Sequence, residues 1–226
     1  MLTEFFACIN DSHVTFTSSS YLLPSFLWSD DFSIFPVRST CTFDRQIIVK
    51  DFIARNRSAK GLIIDMRNHL GQQYEMNDAL IKWLAPEEVV YLWTSVNDKS
   101  NPGNFVCNDK VMTGTNNPDH FTGKVAILVN EATMSVGEIR SMAYRNAVNS
   151  KIIGTTTSGA VGPFGRFNLP GGINFTYSAN GLYYPDWELF QRKGVKIDIT
   201  VKQTAEDIKN DKDLWMEEAI RYILND

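Results

Sequence analysis

Short apolar runs alternate with stretches of helical periodicity through the middle of the chain. The runs Gly61-Leu-Ile-Ile-Asp65 and Val125-Ala-Ile-Leu-Val129 are almost wholly apolar, which is typical of strands buried on both faces of a parallel sheet. Each run is followed by a loop and then by apolar residues at helical spacing, over residues 74–84 and 136–148. This repeated strand-loop-helix order predicts an α/β fold.

The pattern is richer in strands after Gly154. The segment Pro170-Gly171-Gly172 separates two strand-like runs, over residues 167–169 and 173–177, and predicts a hairpin. Residues 213–224 have apolar positions at helical spacing and predict a closing helix. The other predicted elements are a helix end over residues 2–9, strands over 14–16, 88–96, 151–154 and 196–201, a helix over 45–56, and a polar excursion over 99–121.

Composition excludes several classes of function. The length of 226 residues suits one substantial core, so we expect a single domain over residues 1–226. The formal net charge is −4, with acids and bases interleaved, which does not favour binding to nucleic acid or to an anionic membrane. No apolar run approaches the roughly 20 residues that cross a bilayer, so no membrane insertion is expected. The three cysteines, Cys8, Cys41 and Cys107, lack the spacing of a zinc site or a disulfide framework.

The N-terminal residues do not have the pattern of an export signal. Residues 2–9 are apolar but short, and Glu4 stands where a signal peptide has positive charge. Because the chain begins directly on a predicted helix end, we expect that an N-terminal segment is missing.

Ser135 lies where an apolar run has ended and a helical pattern begins. A serine at a strand-to-helix turn projects from the sheet edge, and the N–H of the next residue, Val136, is available at the helix N-terminus to bind an oxyanion. The same serine, followed three residues later by Glu138, also has the spacing of a capping box, which is a structural role. The local sequence therefore fits both a nucleophile and a helix cap.

Four segments together carry a resemblance to a known family. They are Asp11-Ser12-His13, Gly61-Leu-Ile-Ile-Asp-Met-Arg-Asn-His-Leu-Gly71, Val129-Asn-Glu-Ala-Thr-Met-Ser-Val-Gly-Glu138 and Ile153-Gly-Thr-Thr-Thr-Ser-Gly-Ala-Val-Gly162. Their order resembles that of the tail-specific, or C-terminal processing, serine peptidases, and with Gly194-Val-Lys-Ile-Asp198 the resemblance covers nearly the whole chain. It implies a crotonase/ClpP-like spiral of β-β-α units, with a small β-rich segment and a closing C-terminal helix.

The resemblance also implies how the site works. Ser135 would attack a peptide carbonyl, and two backbone N–H groups would hold the resulting oxyanion. Val136 would supply one of them, and Gly71, which matches the first glycine of the family's Asn-x-Gly-Gly loop, would supply the other. The implied partner is a peptide or protein substrate, with no cofactor and no metal.

The implied general base is a histidine. One branch of the family has a lysine where this chain has Ala160, so the resemblance favours the tricorn-type branch, in which a histidine near the start of the domain is the base. His13, preceded by Ser12, matches that pair. A neutral imidazole can accept the Ser135 proton and return it to the departing amine. His69, in the implied oxyanion loop, is a second candidate.

Several positions depart from the family's pattern. The glutamate that helps to orient the histidine in the tricorn-type branch is replaced by Gln191, which can hydrogen-bond but has no charge, and Glu188 is a possible substitute nearby. The second glycine of the oxyanion loop is Gln72. Only 47 residues lie between His13 and Gly61, too few for the PDZ domain that many relatives have there, so no PDZ domain is expected.

Two functions remain open at this point. The first is a cofactor-free serine endopeptidase that is acylated at Ser135. The alternative is a catalytically inactive relative that binds a peptide or an apolar ligand, and Gln191 and the absent PDZ module favour it. Relatives are commonly exported or attached to the cell envelope, whereas this chain shows no leader, so its location stays open.

Overall fold

A computed structural model describes residues 32–36, 50, 52–71, 75–101, 104–162, 164–169 and 173–225. Ser12 and His13, together with the elements predicted over residues 2–16, lie outside the described residues, as does Gln72. Residues 52–55 are helical and lie within the helix predicted over residues 45–56. The strands and helices whose bounds fall within the described part are β1 (Phe32–Pro36), β2 (Gly61–Asp65), α1 (Glu75–Leu84), β3 (Val89–Asn97), β4 (Phe105–Thr113), β5 (Lys124–Val129), α2 (Val136–Tyr144), β6 (Ser150–Gly154), β7 (Phe164–Leu169), β8 (Ile173–Ser178), β9 (Gly181–Tyr183), β10 (Ile199–Thr200), α3 (Ala205–Lys209) and α4 (Leu214–Leu224).

A parallel sheet forms the centre of the molecule. Its strand order is β1-β2-β5-β6-β10, and each neighbouring pair is parallel. The two apolar runs read from the sequence are β2 and β5, which lie side by side with Ile63 opposite Ala126. Both strands are buried on both faces, as parallel strands between two layers must be. The predicted α/β fold with a parallel sheet is confirmed.

Alternate residues of the central strands face two separate apolar layers. On one face, Ile63 and Leu128 pack in a cluster with Ala219 of α4. On the other face, Ile64 and Ile127 join the larger cluster, which includes residues of α1, α2 and β3. Because side chains alternate along a strand with a period of two, one apolar run can supply both layers.

A second, antiparallel sheet lies over the larger cluster and contributes to the cleft described below. Its strand order is β4-β3-β9, and Leu92 of β3 is opposite Val111 of β4. The register shifts between Val90 and Leu92 and again between Thr94 and Ser95. A two-stranded hairpin, β7-β8, confirms the hairpin predicted from the sequence.

The polar excursion predicted over residues 99–121 is wrong for its central part, because residues 105–113 form β4. This strand lies at the edge of its sheet, so only one of its sides needs a partner strand. An edge strand tolerates polar residues such as Asp109 and Lys110, which hide the strand in the sequence pattern.

Two predicted elements are shorter than the sequence suggested. Helix α2 ends at Tyr144, before the predicted limit of residue 148, and β10 is only Ile199–Thr200 within the predicted range 196–201. The Asp198 carboxylate accepts a hydrogen bond from the Ile152 N–H of β6 at 2.8 Å. If β10 were longer, a backbone carbonyl of β10 would accept from this N–H instead. Neither β9 nor α3 was predicted.

The predicted closing helix is α4, and the structure confirms it. The Asp213 side chain caps its N-terminus by accepting from the Met216 N–H at 3.0 Å. Ala219 and Ile223 are buried against the central sheet. In the part of the chain that the structure describes, no helix has the length and apolar character needed to cross a membrane.

Candidate active site

Ser135 occupies a strained turn between β5 and α2. Its backbone has φ 54° and ψ −122°, in a region that side-chain-bearing residues rarely adopt. Its N–H donates to the Ala160 carbonyl at 2.8 Å and, at 3.2 Å, to the Glu138 carboxylate. A sharp, strained strand-to-helix turn of this kind presents a nucleophile in α/β hydrolases. Strain of about 1–3 kcal/mol at one residue persists only where the surrounding structure enforces it.

The Val136 N–H is positioned to bind an anion. Val136 is the first residue of α2, and the first N–H groups of a helix have no acceptor within the helix. The described residues provide no acceptor for this N–H, whereas the next donor, the Gly137 N–H, is bound to the Met134 carbonyl at 2.9 Å. The positive end of the helix dipole adds to its preference for negative charge.

Gly71 lies directly against the serine. Its φ is 94°, and a Cβ built there would be 2.8 Å from the Ser135 Cβ, 3.0 Å from its Oγ and 3.3 Å from the Val136 N. A side chain at residue 71 would therefore fill the space in front of both the hydroxyl and the free amide. The structure thus brings Gly71 against Ser135 and Val136, which follow it by more than 60 residues in the sequence.

Hydrogen bonds tie the loop over residues 66–71, the glycine loop, to the loop over residues 130–135, the serine loop. The Asn68 N–H and the Asn130 Oδ1 are 2.9 Å apart, and the Asn130 Nδ2 returns a bond of 2.9 Å to the Asn68 Oδ1. Asn68 has φ 56°, a conformation that asparagine tolerates better than most residues. This reciprocal pair fixes the register of the two loops.

Two more hydrogen bonds complete the junction of the loops. The Thr133 Oγ1 donates to the Met66 carbonyl at 2.9 Å, and the Met134 N–H donates to the His69 carbonyl at 3.0 Å. Thr133 is fully buried, so its bond is shielded from competing water. Each loop therefore depends on the other for its shape.

Glu138 supports the serine turn from inside the protein. The carboxylate is fully buried and accepts from the Thr157 Oγ1 at 2.5 Å and the Gly159 N–H at 2.7 Å, in addition to the Ser135 N–H. Burial raises the pKa of this carboxyl above its ordinary value, and the hydrogen bonds oppose that effect in part. Glu138 therefore has the structural role that the capping-box spacing predicted, since its carboxylate accepts from the Ser135 N–H. Ser135 nevertheless lines the cleft.

His69 is a buried member of the glycine loop, and its ring contacts the backbone of the same loop. Its Nδ1 accepts from the Gly71 N–H at 3.2 Å, which assigns the proton of a neutral ring to Nε2. A Cβ built on Gly137 would lie 3.0 Å from the same Nδ1, so the ring sits beneath the first turn of α2. In the resting structure the Gly71 amide, expected as an oxyanion donor, is thus engaged with His69.

Gln191 and Glu188, which were also expected in the site, form hydrogen bonds and ion pairs with residues other than Ser135. The Gln191 Oε1 accepts from the Leu182 N–H at 2.9 Å, and its Nε2 donates to the Asn180 carbonyl at 2.6 Å, so the amide holds the start of β9. Glu188 forms ion pairs with Lys193 at 2.8 Å and Lys196 at 2.7 Å. These lysines lower the pKa of the Glu188 carboxyl.

A cleft of about 530 Å³ opens beside Ser135. Its walls come from α1, β3, β4, α2 and β9, and they include the apolar side chains of Ile81, Tyr91, Leu92, Ile139 and Leu182. The cleft is not predictable from the sequence pattern, because part of its wall is the unpredicted strand β4. Among the described residues, no group of acidic, histidine or cysteine side chains could hold a metal ion.

Comparison with known families adds an independent finding. Residues 42–201 match the model of the family described as peptidase family S41. No curated protein sequence matches the chain closely enough to count as a relative.

Several solved structures share the fold of this chain. A candidate peptidase from Parabacteroides merdae superposes with a TM-score of 0.73 at 21% identity, over 86% of this chain and 61% of that one. Mature CPAF in complex with lactacystin gives 0.69 at 14% identity, over 86% and 52%. The photosystem II D1 C-terminal processing protease gives 0.57 at 16% identity, over 76% and 42%. The chain therefore spans 42–61% of the length of these three proteins, less than two thirds of each.

The buried contacts of Glu138 give a prediction for stability. Glu138→Ala removes the acceptor for three donors, so we expect the free energy of unfolding in urea to fall by about 1–3 kcal/mol. Glu131→Ala, an exposed glutamate of the same loop, is the matched control and should change it by less than about 0.5 kcal/mol. Equal effects of the two substitutions would contradict the supporting role of Glu138.

The raised pKa of Glu138 gives a prediction for pH. The folded state holds this proton to a higher pH than the unfolded state, whose pKa is near 4.5, so the contribution of Glu138 to stability falls as the pH rises from 4.5 through the folded pKa. Urea unfolding at several values from about pH 4 to 8 should show the wild type losing stability relative to Glu138→Gln along this range. A constant difference between the two proteins would contradict the raised pKa.

Proposed function

The chain belongs to peptidase family S41, and we propose that it hydrolyses peptide bonds through an acyl-enzyme formed on Ser135. The observation that carries this proposal is the strained Ser135 turn, which sets the hydroxyl against Gly71 and the free Val136 N–H. A capping serine needs neither a positive φ nor a glycine packed against its Oγ. Both features suit a nucleophile that must reach a substrate carbonyl.

Acylation would use these groups in order. The Ser135 Oγ attacks the carbonyl carbon of the peptide bond, and the carbonyl oxygen takes up negative charge in the space in front of the Val136 N–H. The Gly71 amide becomes a second donor when the developing charge competes with His69 for its hydrogen. The C–N bond then breaks, and the amine leaves with the proton that the general base took from Ser135, so the acyl group stays on the serine as an ester. A water molecule hydrolyses this ester, which releases the carboxylic acid and restores the serine hydroxyl.

We assign the general base to His13, oriented by Ser12. Ala160 contacts Ser135 through its carbonyl and has no amine to act as a base. His69, the second candidate, uses its Nδ1 lone pair on the Gly71 amide, which favours a role in the loop rather than as the base. Gln191 and Glu188 are engaged with β9 and with lysines, so we infer that they support the surrounding fold.

One observation favours the second function, a non-catalytic binder of peptides. The Gly71 amide is already hydrogen-bonded to His69, so one of the two expected oxyanion donors is occupied at rest. A binder would keep the cleft and the loops without needing either donor. Labelling of the serine separates the two functions.

A fluorophosphonate probe tests the nucleophile. We expect covalent labelling of the wild type, none of Ser135→Ala, and a reduction of at least about 100-fold in rate for His13→Ala, because removal of a general base typically costs 10²–10⁴. Ser100→Ala, an exposed serine in the turn between β3 and β4, is the matched control and should label like the wild type. Failure of the wild type to label under these conditions would favour the binder.

The pH dependence of labelling tests the base. Because a histidine base is active only when neutral, the rate should rise with pH through about 6.5, the ordinary histidine pKa. His69→Gln should keep this rise if His13 is the base. A rise that disappears in His69→Gln, or a profile flat between about pH 5 and 8, would contradict the assignment.

Gly71→Ala tests the contact between the two loops. Its Cβ would be 2.8 Å from the Ser135 Cβ at a positive φ, so the new methyl group displaces the hydroxyl or fills the oxyanion space. We expect the labelling rate to fall by about 100-fold or more, the effect of losing an oxyanion donor. Circular dichroism serves as the folding control, and a folded variant that labels at the wild-type rate would place the reaction elsewhere.

A further inference from the structure

The cleft beside Ser135 begins on the helix that carries the serine. Ser135 is the N-cap residue of α2, and Ile139, four residues later, lies on the side of α2 that follows from it; both residues line the cleft. Tyr91, Leu92 and Leu182 form buried apolar walls. A substrate side chain next to the bond under attack would therefore enter a mainly apolar space.

Thr113 is the unusual member of this lining. It ends β4 with only 2% of its surface exposed, and its Oγ1 has no hydrogen-bond partner among the described residues. Buried hydroxyl groups in proteins are nearly always paired, because leaving one unpaired is costly. After a rotation of Thr113 about χ1, a substrate group that forms a hydrogen bond with this oxygen would offset the free-energy cost of the unpaired hydroxyl.

The two charged residues among the described lining of the cleft are cations. Arg140 is buried, and Lys82 is exposed at the rim. A guanidinium can stack on an aromatic ring while its N–H groups bind elsewhere.

We propose that this cleft is a specificity pocket for an aromatic side chain that has a hydrogen-bonding tip, and that tyrosine at the residue beside the cleaved bond is its best occupant. The apolar walls hold the ring, Arg140 faces it, and Thr113 pairs with the phenol hydroxyl. The proposal rests on the proposed function for the location of the cleaved bond. The pocket itself is defined by Thr113, Ile139 and Leu182, which are separate from the catalytic groups.

Matched substrates test the pocket. Two peptidyl phosphonates that differ only in tyrosine or phenylalanine at the residue bearing the phosphonate are compared by their rate of reaction with Ser135. We expect the wild type to prefer tyrosine by about threefold to tenfold, the usual contribution of one hydrogen bond. Thr113→Val, which has the same shape without the hydroxyl, should bring the ratio close to one by slowing the tyrosine probe alone.

Thr115→Val is the matched control, since Thr115 also lines the cleft but is exposed. It should keep the wild-type preference for tyrosine. Thr113→Val replaces an unpaired hydroxyl by a methyl group, so it should fold at least as stably as the wild type. A wild-type ratio of one or below, or a preference unchanged in Thr113→Val, would overturn the proposal.

A small fluorophosphonate without a side chain tests the Ser135 nucleophile separately from the tyrosine pocket. If it labels Ser135 while the tyrosine and phenylalanine probes react equally, the nucleophile stands and the pocket proposal fails. If it does not label, calorimetry on Ser135→Ala with tyrosine and phenylalanine peptides still tests the pocket. A preference for the tyrosine peptide that Thr113→Val abolishes would support the pocket without the reaction, and equal affinities would overturn it.

Discussion

The site depends on the pairing of two loops that leave neighbouring parallel strands. Because β2 and β5 are parallel and adjacent, the chain leaves both at the same edge of the sheet, and the glycine loop and the serine loop meet there. The reciprocal Asn68–Asn130 pair and the Thr133–Met66 bond hold them in register. These hydrogen bonds hold Gly71 against Ser135.

The second requirement is a rigid support beneath the serine. Glu138 provides it by binding the serine turn, Thr157 and Gly159 with one buried carboxylate. Thr157 extends the network, since its Oγ1 also accepts from the Val195 N–H at 2.9 Å. The loop after β6 and the turn at residues 194–195 are therefore coupled to the turn that carries Ser135.

Some of this architecture is readable from the sequence because local patterns determine it. Buried strands such as β2 and β5 are continuous apolar runs, and the Pro170-Gly171-Gly172 turn marks its hairpin. Ser135 is identifiable from the change of pattern on its two sides. Strand β4 is not identifiable, because an edge strand needs little apolar character, and the cleft that depends on it is missed as well. Two further contacts are not predictable from hydrophobic periodicity, because they depend on the path of the chain through turns. They are the hydrogen bond between His69 and Gly71 and the hydrogen bond between Gln191 and Leu182 of β9.

The positive φ of Ser135 also bears on how such a chain could change over generations. Glycine adopts this backbone without penalty, so replacing the serine by glycine would relieve about 1–3 kcal/mol of strain while removing the hydroxyl. Stability therefore favours glycine at residue 135, whereas the proposed chemistry requires serine. A chain that did not need the alcohol would become more stable with glycine at residue 135.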